Sequence, residues 1–325
     1  MTRHVGNSKA GRRIVVAAVL SFAGLALALA GWWWTDRAPP PGYPGPPPGL
    51  GLRLSFDEEF SGDQLDRDRW RTSFFGEPGR EAPVQQRTLP SNGEQQLYMD
   101  PDFLGLGIRP LAVRNGMLTI EARPLPAEAL RRVRARIARL TPEQRRYGPI
   151  EKVRYSSGII TTRRSFSQTY GYFEVRARLP AGRGLWSAFW MLPEDDSWPP
   201  EIDVMEVLGH EPSTAYTTVH SRAGAGPAGK NRVFDPDGFH RYGALWLPDR
   251  IEFYLDGRKV FAGPTPPDAH RPMHMLINLA VGGYWPGSPD SSTRFPARMT
   301  VDYVRAWALP GRWSDAAAQR GQRTR

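Results

Sequence analysis

The sequence predicts an all-β fold, a sandwich of short strands, and two observations lead there. From residue 52 onward, short runs alternate apolar and polar residues, the mark of strands with one buried face. Gly, Pro, Asn and Asp stand between the runs and supply turns, and many short strands joined by turns suggest a sandwich. A length of 325 residues with 40% hydrophobic content suits one large β domain with added segments.

Residues 1–13 form a basic segment with Arg3, Lys9, Arg12 and Arg13, expected on the cytoplasmic side. Residues 14–31 are an apolar run without charge, and Trp32, Trp33 and Trp34 follow. Residues 14–34 are long enough for a hydrophobic helix across a bilayer, with Trp at the interface. Ala28, Leu29 and Ala30 also resemble a small-residue cleavage site. The segment is read as a signal-anchor or a signal peptide. The rest of the chain is then expected outside the cytoplasm, in the cell envelope on a single-pass anchor, or secreted. Residues 35–51 are rich in Pro and Gly, which predicts an extended, semi-rigid spacer.

Residues 52–310 are read as one domain. Its clearest strand runs are 117–122, 172–179, 251–255 (closed by the turn Asp256-Gly257) and 301–307. One stretch breaks the pattern, an insertion over about 126–150. In residues 127–140, Leu130, Val133, Ile137 and Leu140 recur at helical spacing with many Arg between them. Thr141-Pro142-Glu143 then opens a second short helical piece with a capping-type start. Two readings follow: a surface helix packed on the sandwich edge, or a basic rim that contacts an acidic polymer. Residues 311–325 are a polar, basic tail, predicted to be disordered.

Composition removes some functions. There is no cysteine, so no disulfide, thiol nucleophile or Cys-ligated zinc. The histidines are scattered, with no helical pair at ligand spacing, so no cofactor is expected for catalysis. The net charge is +10, yet no recognisable nucleic-acid reader motif is present, and no nucleic-acid partner is assigned. An anionic polysaccharide, a membrane surface or a cell wall accounts for the charge as well.

The chemistry concentrates in Glu201-Ile202-Asp203-Val204-Met205-Glu206. Ile202, Val204 and Val207 favour a strand. In a regular strand Glu201 and Asp203 share a face and Glu206 points away. A helix does not unite the three acids either. A β-bulge at about Met205 would return Glu206 to the face of the other two. Acids gathered on one surface suit two-carboxylate glycosidase chemistry, with one nucleophile and one acid/base. Trp186 and Trp190 lie four residues apart, on one face of any strand, and could stack on pyranose rings. Trp285 sits in a Gly-rich loop, poor core material, which favours a cleft rim.

This acid segment resembles the catalytic signature of glycoside hydrolase family 16 in its bulged, laminarinase-like form, and the likeness runs from about Phe56 to Trp307. The resemblance implies a β-jelly roll with a concave substrate cleft. It implies a retaining endo-β-glycosidase, with Glu201 as nucleophile, Glu206 as acid/base and Asp203 between them. It also puts Trp186, Trp190, His220 and Trp285 at the substrate, with Asn92 and Glu94 reaching sugar hydroxyls. From its own residues, His220 reads equally as a structural strand histidine, and Asn92-Gly93 as a turn. A structural calcium ion around Glu59, Gly116 and Asp302, with some ligands being backbone carbonyls, is a further implication. The implied substrate is a β-1,3- or β-1,3-1,4-glucan. Residues 94–101, 166–171 and 198–201 also resemble bacterial endoglycanases that trim exopolysaccharides such as succinoglycan. A wall-glycan transglycosylase and a noncatalytic glucan-binding module are the alternatives. The expected partners are thus a polysaccharide and, through the N-terminal segment, a membrane, with the chain acting as a monomer.

Overall fold

The structure, a computed structural model, describes residues 45–75, 82–145, 148 and 150–311. The basic N-terminal segment, the apolar run, most of the Pro/Gly linker, Arg146 and the tail beyond Gly311 lie outside the described residues. Among the described residues, no helix is long and apolar enough to cross a membrane.

In chain order the strands are β1 (Arg53–Glu58), β2 (Gln96–Tyr98), β3 (Leu111–Arg114), β4 (Met117–Pro124), β5 (Tyr155–Ser157), β6 (Ile159–Thr161), β7 (Gly171–Arg178) and β8 (Leu185–Pro193). They continue with β9 (Glu201–Leu208), β10 (Thr214–Ser221), β11 (Gly224–Arg232), β12 (His240–Trp246), β13 (Arg250–Leu255), β14 (Arg258–Pro264), β15 (Met273–Val281) and β16 (Ala297–Ala308). They form a ten-stranded sheet and a six-stranded sheet. The larger runs β14-β13-β12-β7-β16-β4-β5-β2, with β1 on β16 and β3 on β4. The smaller runs β11-β10-β9-β8-β15-β6, so β9 is flanked on both sides.

Alternation decides which side chains meet between the sheets. Leu185, Phe189 and Met191 of β8 face the core, as do Met273, Met275, Ile277, Leu279 and Val281 of β15. Phe173, Val175 and Ala177 of β7 and Ala244 and Trp246 of β12 meet them from the larger sheet. The alternate residues of β8 and β15 are left for the opposite face of the smaller sheet, which carries the groove described below. This is the all-β sandwich expected from the sequence.

The insertion forms a helix, α1 (Ala127–Ala138), two residues shorter than its apolar repeat. Val133, Ile137 and Leu140 of the expected stripe are buried, joined by Ala129, while Leu130 is only partly buried against the same cluster. They close a separate small core with Leu97, Met99, Phe103 and Val153. The capping start at Thr141 is reciprocal: Gln144 N–H donates to Thr141 Oγ1 at 3.3 Å, and Thr141 N–H donates to Gln144 Oε1 at 3.0 Å. The spacer does not run free to its end, because Leu50 and Leu52 pack against Tyr172, Leu245 and Leu247.

Candidate active site

The three acids share a face because β9 carries one extra residue. Against β8, Phe189 pairs with Met205 and Trp190 with Asp203, so Val204 has no partner. Against β10, Tyr216 pairs with Glu206 and Thr218 with Asp203, with a register shift between them. Val204 and Met205 both enter the core, and the phase reverses for Glu206. Glu201, Asp203 and Glu206 therefore line one groove of about 720 Å³.

Neighbouring groups fix these carboxylates. Trp198 Nε1 donates to Glu201 Oε2 at 2.8 Å. His220, which pairs with Glu201 across β10, puts Nε2 3.8 Å from Glu201 Oε1 and 3.2 Å from Asp203 Oδ2. Trp186 Nε1 donates to Glu206 Oε1 at 3.1 Å. Desolvation dominates the electrostatics. Burial, with the charge of Glu201 added, pushes the Glu206 carboxyl up to about 8, against the pull of the Trp186 bond. Burial and the charges of Glu201 and Glu206 raise Asp203 well above the ordinary carboxylate range. Burial raises Glu201 too, offset by His220, Asp203 and Trp198. Two glutamates on one face thus differ in the groups that surround them, and Glu206 is the one equipped to hold a proton near neutral pH.

Aromatic walls flank the acids. The Trp186 and Trp285 rings meet edge to face at 5.4 Å, and Tyr216 meets Trp285 at 4.9 Å. Trp190 is buried and donates to Asn278 Oδ1 at 2.7 Å, while Asn278 Nδ2 donates to the Tyr98 hydroxyl at 2.9 Å. Trp190 thus supports the groove floor while lining it. Asn92 lines the groove as well, in a turn that Gly93 closes at φ 71°. Glu94 also lines it but turns inward. Its Oε2 accepts from Leu89 N–H at 3.1 Å and from Gln96 Nε2 at 2.5 Å, and burial lifts its carboxyl to about 7.

The residues named for calcium lie on the larger sheet, away from the groove. Arg305 Nε reaches Glu59 Oε1 at 2.7 Å, and Arg176 is paired with the Asp302 carboxylate. Gly116 lies close to the Glu59 backbone carbonyl. As carboxylate ligands Glu59 and Asp302 do not fit a calcium ion, since each already carries a guanidinium partner, and no role is derived from one.

Sequence reasoning missed several groove residues. Trp198, Tyr216, Asn278, Tyr98, Phe74 and Phe75 all take part in the groove or its support. Tyr216 was within reach of strand parity, since it shares a phase with Thr218 and His220. Trp198 carried a signal too: a Trp beside two prolines, three residues before Glu201, is poorly placed for a core, and it is 60% exposed.

Comparison with known proteins places these observations. A family model described as glycosyl hydrolases family 16 matches residues 128–305. Endo-1,3-1,4-beta-glycanase ExsH of Rhizobium meliloti (strain 1021) is 40% identical over 269 residues, covering 81% of this chain and 53% of that protein. Endo-1,3-1,4-beta-glycanase EglC of the same organism is 42% identical over the same shares. The chain spans about half the length of these relatives. Among solved structures, the catalytic domain of an endo-1,3-beta-glucanase (laminarinase) from Thermotoga petrophila RKU-1 superposes with TM-score 0.63 at 30% identity, covering 81% of this chain and 100% of that one. SCLam, a non-specific endo-beta-1,3(4)-glucanase, gives TM-score 0.64 at 28% identity, with 83% and 96% covered.

Proposed function

Since the chain belongs to family 16 of the glycosyl hydrolases, we propose that it is a retaining endo-β-glycosidase acting on β-1,3- or β-1,3-1,4-linked glucan or a related bacterial exopolysaccharide. The observation that carries this reading is the bulge that sets Glu201 and Glu206 on one groove face with Asp203 between them. In the mechanism, Glu201 attacks the anomeric carbon and forms a glycosyl-enzyme. The Trp198 N–H leaves one oxygen of Glu201 free to attack. Glu206, protonated near neutral pH, gives its proton to the leaving oxygen and then takes one from water. Asp203 sits between the two glutamates and pulls the Glu201 carboxyl down against its burial, while burial, with the charge of Glu201 added, keeps Glu206 protonated. No cofactor is assigned to the reaction.

The substrate class is supported by the relatives' names and by a mutant of SCLam presenting a 1,3-beta-D-cellobiosyl-glucose at its active site. The aromatic pair Trp186 and Trp285 supplies platforms for such sugars. An envelope location and a monomeric state are further proposals, resting on the sequence alone. Cell fractionation and light scattering would check them; a cytoplasmic pool or a stable dimer would count against them.

The test uses Glu201→Gln and Glu206→Gln on laminarin, mixed-linkage glucan and succinoglycan. Each should lower turnover by about 10²-fold or more, while sugar binding survives. Glu206→Gln should still form the glycosyl-enzyme from a substrate with a good leaving group. Equal, partial activity in both variants would remove the assigned roles. Transfer products in place of reducing ends would favour a transglycosylase, and binding without cleavage by the unaltered chain a glucan-binding module.

A further inference from the structure

We infer that Glu201, Asp203 and His220 also form a binding site for a divalent transition-metal cation, one that closes the groove to substrate. One ligand atom from each of the three residues lies within 4.8 Å of the others. His220 Nε2 stands 3.2 Å from Asp203 Oδ2 and 3.8 Å from Glu201 Oε1. Tetrahedral zinc with bonds of about 2.1 Å keeps its ligand atoms roughly 3.4 Å apart. The two spacings from His220 fall on either side of that value, and the third, between Glu201 and Asp203, is within 4.8 Å, so side-chain shifts would bring the three to one ion.

A second observation points the same way. Asp203 is 2% exposed, and its Oδ2 makes no well-aligned hydrogen bond among the described residues, with His220 Nε2 its neighbour at 3.2 Å. A buried carboxylate oxygen left unpaired is costly, and a cation would satisfy it. That oxygen is the one nearest His220 Nε2. Glu201 is held ready in the same sense, because Trp198 Nε1 occupies Oε2 and leaves Oε1 on the histidine side. The His220 side chain is 46% exposed and lines the groove, so an ion can reach the three ligands from solvent. An imidazole with two carboxylates suits zinc and its neighbours, whereas calcium and magnesium prefer all-oxygen shells of six or more ligands.

The inhibitory consequence rests on the reading of Glu201 as nucleophile, since an ion on its free oxygen blocks attack. Ion and glucan should therefore exclude one another. Zinc chloride titrated into the whole chain by calorimetry should reveal one site at the groove. His220→Ala should weaken it at least about 10-fold, and His220→Gln, a second variant, should do the same without loss of melting temperature. His210→Ala, at the surface histidine beside Glu211, should leave it unchanged. In the assay, zinc should raise KM for laminarin and spare kcat. Glu206→Gln keeps all three ligands and needs no turnover, so its zinc affinity should equal that of the unaltered chain. Zinc bound by the unaltered chain, together with no hydrolysis of any of the three polymers by that chain, would sink the glycosidase reading alone. Undiminished zinc affinity in both His220 variants, or inhibition that glucan does not relieve, would overturn the metal site.

Discussion

At the scale of single residues, Glu206 and Trp186 set the pH behaviour expected of the chain. The acid must be protonated to act, so the rate should fall as pH rises through about 8. The nucleophile must be ionised, so the rate should also fall as pH drops into the range of the raised Glu201 carboxyl. The pair titrates together, and the limbs belong to both glutamates. Trp186 allows the assignment to be tested. Its indole donates to Glu206 and favours the charged form, which pulls the carboxyl down against burial. Trp186→Phe keeps a ring for the sugar but removes the donor. The alkaline limb of kcat/KM should then move to higher pH, and by more than the acid limb. An alkaline limb that stays fixed, or moves down, would mean that Trp186 does not tune Glu206.

At the scale of the element, β9 shows what sequence reveals and what it leaves open. Parity alone required one extra residue between Asp203 and Glu206, because acids at those spacings cannot share a regular strand face. That argument is local, and it was legible. It placed the bulge at about Met205, while the register leaves Val204 unpaired against β8 and sends both residues into the core. The choice between the two depends on how β8 and β10 pair with β9, which no single strand records. The end of α1 was similarly blurred, since Leu140 continues the apolar stripe after the helix has stopped at Ala138. Deleting either Val204 or Met205 should remove the bulge and turn Glu206 out of the groove. A loss of about 10²-fold or more in kcat/KM is expected, the usual worth of a general acid. Met205→Leu keeps the residue count and should cost less than about 1.5 kcal/mol, with activity near normal. Circular dichroism and melting curves would establish which variants fold. A folded deletion variant of ordinary activity would refute the bulge as the device that assembles the site.

At the scale of the whole molecule, the groove joins residues that lie far apart in the chain. Asn278 and Tyr98 support Trp190 from other strands, and neither carries a local signal of that task. The insertion is the other feature that only tertiary structure explains. Its apolar stripe closes a second core, and several of its arginines have structural work. Arg131 pairs with Glu128, Arg132 binds the Leu104 carbonyl, and Arg145 binds the carbonyls of Ile137, Ala138 and Leu140 at the end of α1, where cations are favoured. The contacts of Arg132 and Arg145 support the edge-covering reading, whereas the Arg131–Glu128 pair is exposed to solvent. The insertion also meets the turn beside the groove, for Gly148 packs on the Pro90 carbonyl, next to the groove-lining Leu89 and Ser91. Arg134 and Arg139 are exposed and Arg136 partly so, and this is where an electrostatic rim would have to reside. Replacing these three by Gln should leave the melting temperature unchanged, as surface substitutions usually do. It should lower kcat/KM on an acidic exopolysaccharide such as succinoglycan by roughly 2- to 10-fold at low salt, with no change on neutral laminarin, because fixed charge concentrates an oppositely charged polymer. Salt should erase the difference as the Debye length shrinks below about 8 Å. Arg145→Gln should do the reverse, lowering the melting temperature and sparing the salt response. Equal rates for the triple variant and the unaltered chain on both polymers at every salt level would leave the insertion purely structural and return the substrate to neutral β-1,3-glucan.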